Sequence, residues 1–178
     1  MLKLNNSKDN KIKRVLYITY DGLCDNLGHS QIIPYIFSIN KVPNVKVTVI
    51  SFEKKNKNLQ PIKNILDKYK IDWFPLKFTE KKFLLMKILD FTKIIIFPII
   101  LYFFNKFKVT HCRGHLPSFS GLILKKIFKV KFIFDCRGLW ADERVDNKSW
   151  NLKKNLHSKV YLFFKYFEKK FFYSADHT

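Results

Sequence analysis

Glycine, cysteine and acidic residues are scarce in this chain. Its 178 residues include 5 Gly and 3 Cys, and 14 Asp and Glu face 34 Lys and Arg. The cysteines, Cys24, Cys112 and Cys136, have no CxxC spacing. They fit free thiols in a reducing compartment better than a disulfide framework. No metal site is expected, because neither the cysteines nor the histidines have ligand spacing. The chain also lacks a GxGxxG, a P-loop Lys-Ser/Thr and a nucleophile elbow, so Ser/His/Asp hydrolysis is unsupported. No zinc-finger, KH or RRM signature appears. The opening MLKLNNSKDNKIKR is polar and leads directly into a strand-like segment, which does not read as a signal peptide. The expected compartment is the cytoplasm. No apolar run reaches the roughly 20 residues that a membrane span requires, because the stretch from Ile94 to Phe104 is too short.

Apolar side chains make up 47% of the sequence and include 19 Phe, which rules out a disordered tail and supplies one domain with a core. The formal net charge of +20 points to an anionic partner. The lysines are scattered rather than gathered in a stripe, which argues against nucleic acid. A compositional bias toward Lys, Asn, Ile, Phe and Tyr accounts for most of the excess, and peripheral attraction to an anionic membrane is its by-product.

Strand-like and helix-like segments alternate. Residues 14–20, 45–52, 71–76, 108–114 and 131–138 read as strands. Residues 29–41, 58–70, 81–106, 117–128 and 151–173 read as helices, with a polar loop over 139–150. The long apolar helix over 81–106 is expected to kink at Pro98 and to pack in the core, with one face able to rest on a bilayer. SADHT at the end looks like a turn opening a further strand. Such alternation predicts an α/β fold, a doubly wound and mainly parallel sheet flanked by helices. Residues 1–13 read as a polar tail and 14–178 as the domain.

Ligands of such sheets sit beyond the carboxyl ends of the strands, and the rare residues fall there. Gly22, Gly28, Gly114 and Gly138 follow strand ends, whereas Gly121 lies inside a helix. Arg113, Arg137 and Arg144 follow the fourth and fifth strands in a chain that otherwise uses Lys. Arginine is the better group where phosphate or carboxylate is gripped in a planar, bidentate way. The loop DGLCDNLGHS, with Asp21, Gly22, Gly28 and His29, could cradle a phosphate or a sugar hydroxyl, and reads equally as a tight turn with Ser30 near the cap. In HCRGHLPS, alternation sets His111 and Arg113 on one face and Cys112 on the other, with His115 in the following loop. FDCRGLWADERVD packs Asp135, Arg137, Asp142, Glu143, Arg144 and Asp146 beside Gly138 and Trp140. A salt-bridged loop is the plainer reading, and the company of Gly138 and Trp140 favours a site.

VLYITYDGLCDNLGHSQIIPYI, VTVISFEK, HCRGHLPSFSGLILKK and KFIFDCRGLWADERVD together resemble the N-terminal domain of family-4 GT-B glycosyltransferases, in a subgroup associated with bacterial surface polysaccharides. The resemblance runs from about residue 14 to the terminus. It implies retaining transfer from a nucleotide-sugar to a saccharide or lipid-linked acceptor, with no cofactor and no essential metal. The chain would then be a Rossmann-like, acceptor-binding half, inactive without a separate C-terminal donor-binding domain. By resemblance Asp135, Arg137 and Glu143 lie near the transferred sugar or the acceptor hydroxyl, and Gly28 approaches the donor diphosphate. His29, His111, Arg113 and His115 are acceptor-side candidates, and Asp21, Gly22, Gly114, Gly138 and Arg144 complete the substrate-binding set. Where many relatives place a His after the fifth strand, this chain has Asp135-Cys136-Arg137. The rival reading is a stand-alone carbohydrate- or sugar-lipid-binding module without catalysis.

Overall fold

The computed structural model describes residues 12–79 and 84–178. Most of the polar tail expected at 1–13, and residues 81–83 of the expected long helix, lie outside them. Five strands, β1 (Lys13–Thr19), β2 (Val45–Glu53), β3 (Asp72–Lys77), β4 (Val109–Arg113) and β5 (Lys131–Asp135), form one sheet in the order β3-β2-β1-β4-β5. Every neighbouring pair is parallel. The order reverses between β1 and β4, which makes their carboxyl ends the switch point of a Rossmann-like sheet.

Helices α1 (Ile33–Asn40), α2 (Gln60–Lys68), α3 (Leu84–Asn105), α4 (His115–Phe128), α5 (Trp140–Asp146) and α6 (Asn155–Ser174) cover both faces. Strands buried on both sides read as continuous apolar runs, and β1 and β2 do so. Leu16, Ile18, Ile50 and Phe52 point into one core with Ile94 of α3, Leu122 of α4 and Phe171 of α6. Tyr17, Val47 and Val49 point into the other with Ile36 of α1 and Ile62 of α2. Gly121 lets α4 press on the sheet, since a Cβ there would collide with the Phe132 ring.

Two prolines are accommodated in different ways. The helix expected over 29–41 begins as a π-helical turn, Gly28–Ile32, in which the Ile33 amide reaches back to the Gly28 carbonyl. That wider turn precedes Pro34, which can donate no hydrogen bond and crowds the preceding turn. Helix α3 runs on through Pro98. The carbonyl that Pro98 leaves without its helical donor belongs to Ile94, and the buried Ser120 hydroxyl of α4 donates to it.

The polar loop expected over 139–150 is corrected: its first half is α5. One of its charges, Asp142, has partners on α6, which sequence spacing does not reveal. Asp142 accepts from Tyr161 and Lys165 at 2.8 Å each, while Trp140 packs on Trp150 and Phe164. His115 is likewise not in a loop but opens α4, because Gly114 supplies the φ of 82° that turns the chain into the helix. At the C-terminal end His177 forms a parallel bridge with Ile133, so a fifth pairing begins beside β5.

Candidate functional site

The carboxyl ends of β4 and β5 meet the π-turn and the start of α1 around a cleft of about 300 Å³. Gln31, Tyr35, His111, Arg113, Asp135 and Arg137 line it, together with Ile133 and Thr178. That volume is at the small end of ligand sites. Strand alternation puts His111 and Arg113 on the cleft side of β4, and the adjacent register sets Arg113 opposite Asp135. Cys112 points the other way, into the core beneath Gly121.

Gln31 organises the two arginines. Its Oε1 accepts from Arg113 Nη2 at 2.7 Å and from Arg137 Nη2 at 2.8 Å. Asp135 faces three donors, each just beyond hydrogen-bonding reach: His111 Nε2, Arg113 Nη1 and Arg137 Nη1 all stand 3.6 Å from its oxygens. Asp21 stands 3.6 Å from Arg113 Nε at the rim. Burial works against ionisation of Asp135, but His111, Arg137 and Arg113 outweigh it and hold the carboxyl below its ordinary range. The group is an anion at neutral pH.

Beneath the cleft lie buried polar atoms that lack hydrogen-bond partners. Tyr17 Oη, His111 Nε2 and Arg113 Nε have none among the described residues. Their side chains are at most 6% exposed. His111 Nε2 and Arg113 Nε instead face carboxylates at longer range, Asp135 and Asp21, each at 3.6 Å. Burial pushes the Tyr17 hydroxyl well above its usual range, which keeps it protonated and able to donate. Tyr17 also stacks on His111, whose other ring nitrogen lies 3.4 Å from Tyr35 Oη. The cleft thus presents guanidinium and hydroxyl donors beside one carboxylate acceptor. That suits hydroxyl-rich or anionic ligands.

Of the residues singled out by sequence, the structure brings together His111, Arg113, Asp135 and Arg137, with Asp21 at the edge. Gly114 adjoins them and donates its amide to the Asp135 carbonyl at 2.9 Å. His29 is exposed on the π-turn. Gly138 lies under the Glu143 carboxylate, which would collide with a Cβ there. Arg144 stacks 5.0 Å over Trp140. His115 sits elsewhere, buried and 2.9 Å from Glu168 of α6.

The first loop is tied inward. Glu53, at the end of β2 and only 4% exposed, accepts from the amides of Leu23 at 2.6 Å and Cys24 at 3.1 Å. Ser51 Oγ donates to it as well, at 2.6 Å. Gly22 leaves room for that carboxylate, and Gly28 packs where a Cβ would strike the carbonyls of Gly22 and Leu23. The two amides therefore already hold an internal anion. Sequence reasoning did not find Gln31, Tyr35, Tyr17 or Thr178. The usable signal was Gln31 and Tyr35 at i, i+4 on the helix that follows the first loop. Among the described residues no three His, Cys, Asp or Glu side chains converge as a metal site would require.

No protein-family model matches the sequence, and no curated protein does. Among solved structures, MurG of Acinetobacter baumannii is similar, with a TM-score of 0.46 at 8% identity. The match covers 68% of this chain and 34% of that one, so this chain spans about a third of the length of MurG. A likeness of that extent carries no inference about chemistry.

Proposed function

We propose that this chain is the acceptor-side wall of a retaining GT-B glycosyltransferase of the family-4 type. It would act in surface-polysaccharide synthesis, moving a sugar from a nucleotide-sugar to a saccharide or lipid-linked acceptor. The observation that carries this reading is the cleft beside the β1/β4 switch point, where Arg113, Arg137, His111 and Asp135 converge.

In that role Asp135 accepts a hydrogen bond from an acceptor hydroxyl, while His111 and Tyr35 fix the position of the sugar. Arg113 and Arg137 face the negative charge that develops on a departing diphosphate or rests on an acceptor phosphate. Gln31 holds both guanidinium groups in place and can release them to a better acceptor. The donor nucleotide then belongs to a second domain across the cleft, and the chain alone does not turn over. No step calls for a metal.

The test combines Arg137→Ala with the complete transferase. Arg137 is half-exposed and its polar partners are Gln31 and Asp135, so its loss should change stability by less than about 1 kcal/mol. Transfer should fall by at least about a hundredfold, as for loss of a preorganised cation at the transition state. Equal losses of folding and activity would make the cluster a salt bridge only. Transfer by this chain alone would refute the assignment as one wall of a two-domain site.

A further inference from the structure

A second concavity lies at the opposite end of β5 from the cleft. Strand β5 runs from Lys131 to Asp135 at the cleft, a rise of about 13 Å. Where it begins, the end of α4, the turn into β5 and the end of α6 border a depression of about 420 Å³. That volume falls in the range of small-ligand sites. The buried Leu122 and Val130 and the exposed Tyr173 ring form its apolar lining.

Lys125, Lys126, Lys129 and Lys131 line the same depression. Two more lysines are close by. The Lys131 amide donates to the Lys108 carbonyl at 3.0 Å, and Lys169 Nζ lies 5.9 Å from the Tyr173 ring centroid. Asp176 is the sole acid among the described lining residues. Its carboxylate already accepts from Lys125 at 2.9 Å and from the Phe132 amide at 2.8 Å. Among the described residues, Lys126, Lys129 and Lys131 have no carboxylate within salt-bridge reach. The dipole of α4, which ends here, offsets only about half a charge. Lys125 and Lys129 also stand at i, i+4, where like charges destabilise a helix end. Such a cluster adds nothing to folding, and a bound anion would relieve it.

We propose that this depression binds an organic diphosphate, with its phosphates among Lys126, Lys129 and Lys131 and its planar ring on Tyr173. Charge and shape select this ligand. A terminal phosphate carries about −1.5 to −2 at neutral pH. A diphosphate therefore comes close to matching the three unpaired lysines, and a monophosphate does not. Lysine meets phosphate as a point charge, which suits a flexible run of phosphates better than one planar carboxylate. The aromatic wall beside the cations gives a flat ring a face to stack on. Because the depression and the cleft lie at opposite ends of β5, the proposal is independent of the sugar-transfer reading.

The test is isothermal titration calorimetry of the 178-residue chain with ADP, pyrophosphate and inorganic phosphate, with two-dimensional NMR to locate each ligand. ADP should bind saturably and shift the amides of Lys126, Lys129, Lys131 and Ser174. Pyrophosphate should shift the same amides but bind at least about fivefold more weakly, for want of stacking. Phosphate should bind more weakly again. Lys129→Gln with Lys131→Gln should weaken ADP binding by about twenty-five-fold, which is about fivefold for each charge pair lost. Tyr173→Ser should lower ADP affinity to that of pyrophosphate and leave pyrophosphate unchanged. All three side chains are exposed, so their replacement leaves the fold intact. Failure of ADP and pyrophosphate to bind, or phosphate binding as tightly as either, would overturn the proposal. So would shifts confined to the cleft, with affinity lost in Arg137→Ala and kept in the lysine variant.

Discussion

Replacing Glu53 tests whether the first loop is held from below. Glu53 is buried at the end of β2 and accepts three hydrogen bonds, from the Leu23 and Cys24 amides and from Ser51 Oγ. Glu53→Ala would leave those donors facing a void. At about 1–3 kcal/mol for each unsatisfied buried donor, and with some reorganisation of the loop, the loss is roughly 3–6 kcal/mol. Typical domains have only about 5–15 kcal/mol of stability in total. Glu53→Gln keeps the volume and one acceptor oxygen, but it turns an NH2 toward an amide donor, so its loss should be intermediate. Urea unfolding followed by tryptophan fluorescence suits the question, because the Trp73 indole donates to Ser51 Oγ at 2.8 Å and reports on the same network. With a slope of about 2 kcal/mol/M, the midpoint for Glu53→Ala should fall by roughly 1.5–3 M. A shift below about 0.5 M would refute the inward-tied loop.

Ser120→Ala removes the donor to the Ile94 carbonyl freed by Pro98, and should cost about 1–3 kcal/mol. In a Pro98→Ala background the helical donor returns and most of that cost should vanish, so additive losses in the double-mutant cycle would disprove the compensation. Asp142 is held below its ordinary carboxyl range by Lys165 and Tyr161, and Asp176 by the Phe132 amide and Lys125. Their folded values lie below the unfolded ones, so their stabilisation is full above about pH 4 and is lost as pH falls through the folded values. The thermal midpoint should drop in that window, and Asp142→Asn with Asp176→Asn should flatten the drop; an unchanged slope would remove these pairs from the account. Burial pushes the Cys112 thiol up to about 12, so iodoacetamide at neutral pH should label Cys112 only in denaturant. Labelling of the native protein would contradict its place in the core.

The sheet was largely legible because its strands are buried on both faces and therefore read as apolar runs. Alternation within β4 was enough to set His111 and Arg113 on one side and Cys112 on the other, and the structure has them so. What the sequence concealed depends on distant partners. Asp142 and Arg144 look like loop charges until α6 and Trp140 are beside them. His115 lies two residues from Arg113, yet the turn at Gly114 carries it to the opposite side of the sheet, against Glu168. The amides of the first loop look free for a ligand, since nothing local indicates that a carboxylate thirty residues away will occupy them. Gln31 is an ordinary residue by composition, and only the π-turn before Pro34 brings it between two arginines.

The central claim is that the cleft over β4 and β5 receives a sugar or sugar-phosphate. The most direct measurement is a two-dimensional NMR titration of the chain with galactose, N-acetylglucosamine and their 1-phosphates. Saturable shifts concentrated at Gln31, Tyr35, His111, Arg113, Arg137 and Thr178 are the predicted result, and Arg113→Ala should abolish them. Shifts absent from these residues with every probe, or reproduced in full by inorganic phosphate alone, would contradict the claim.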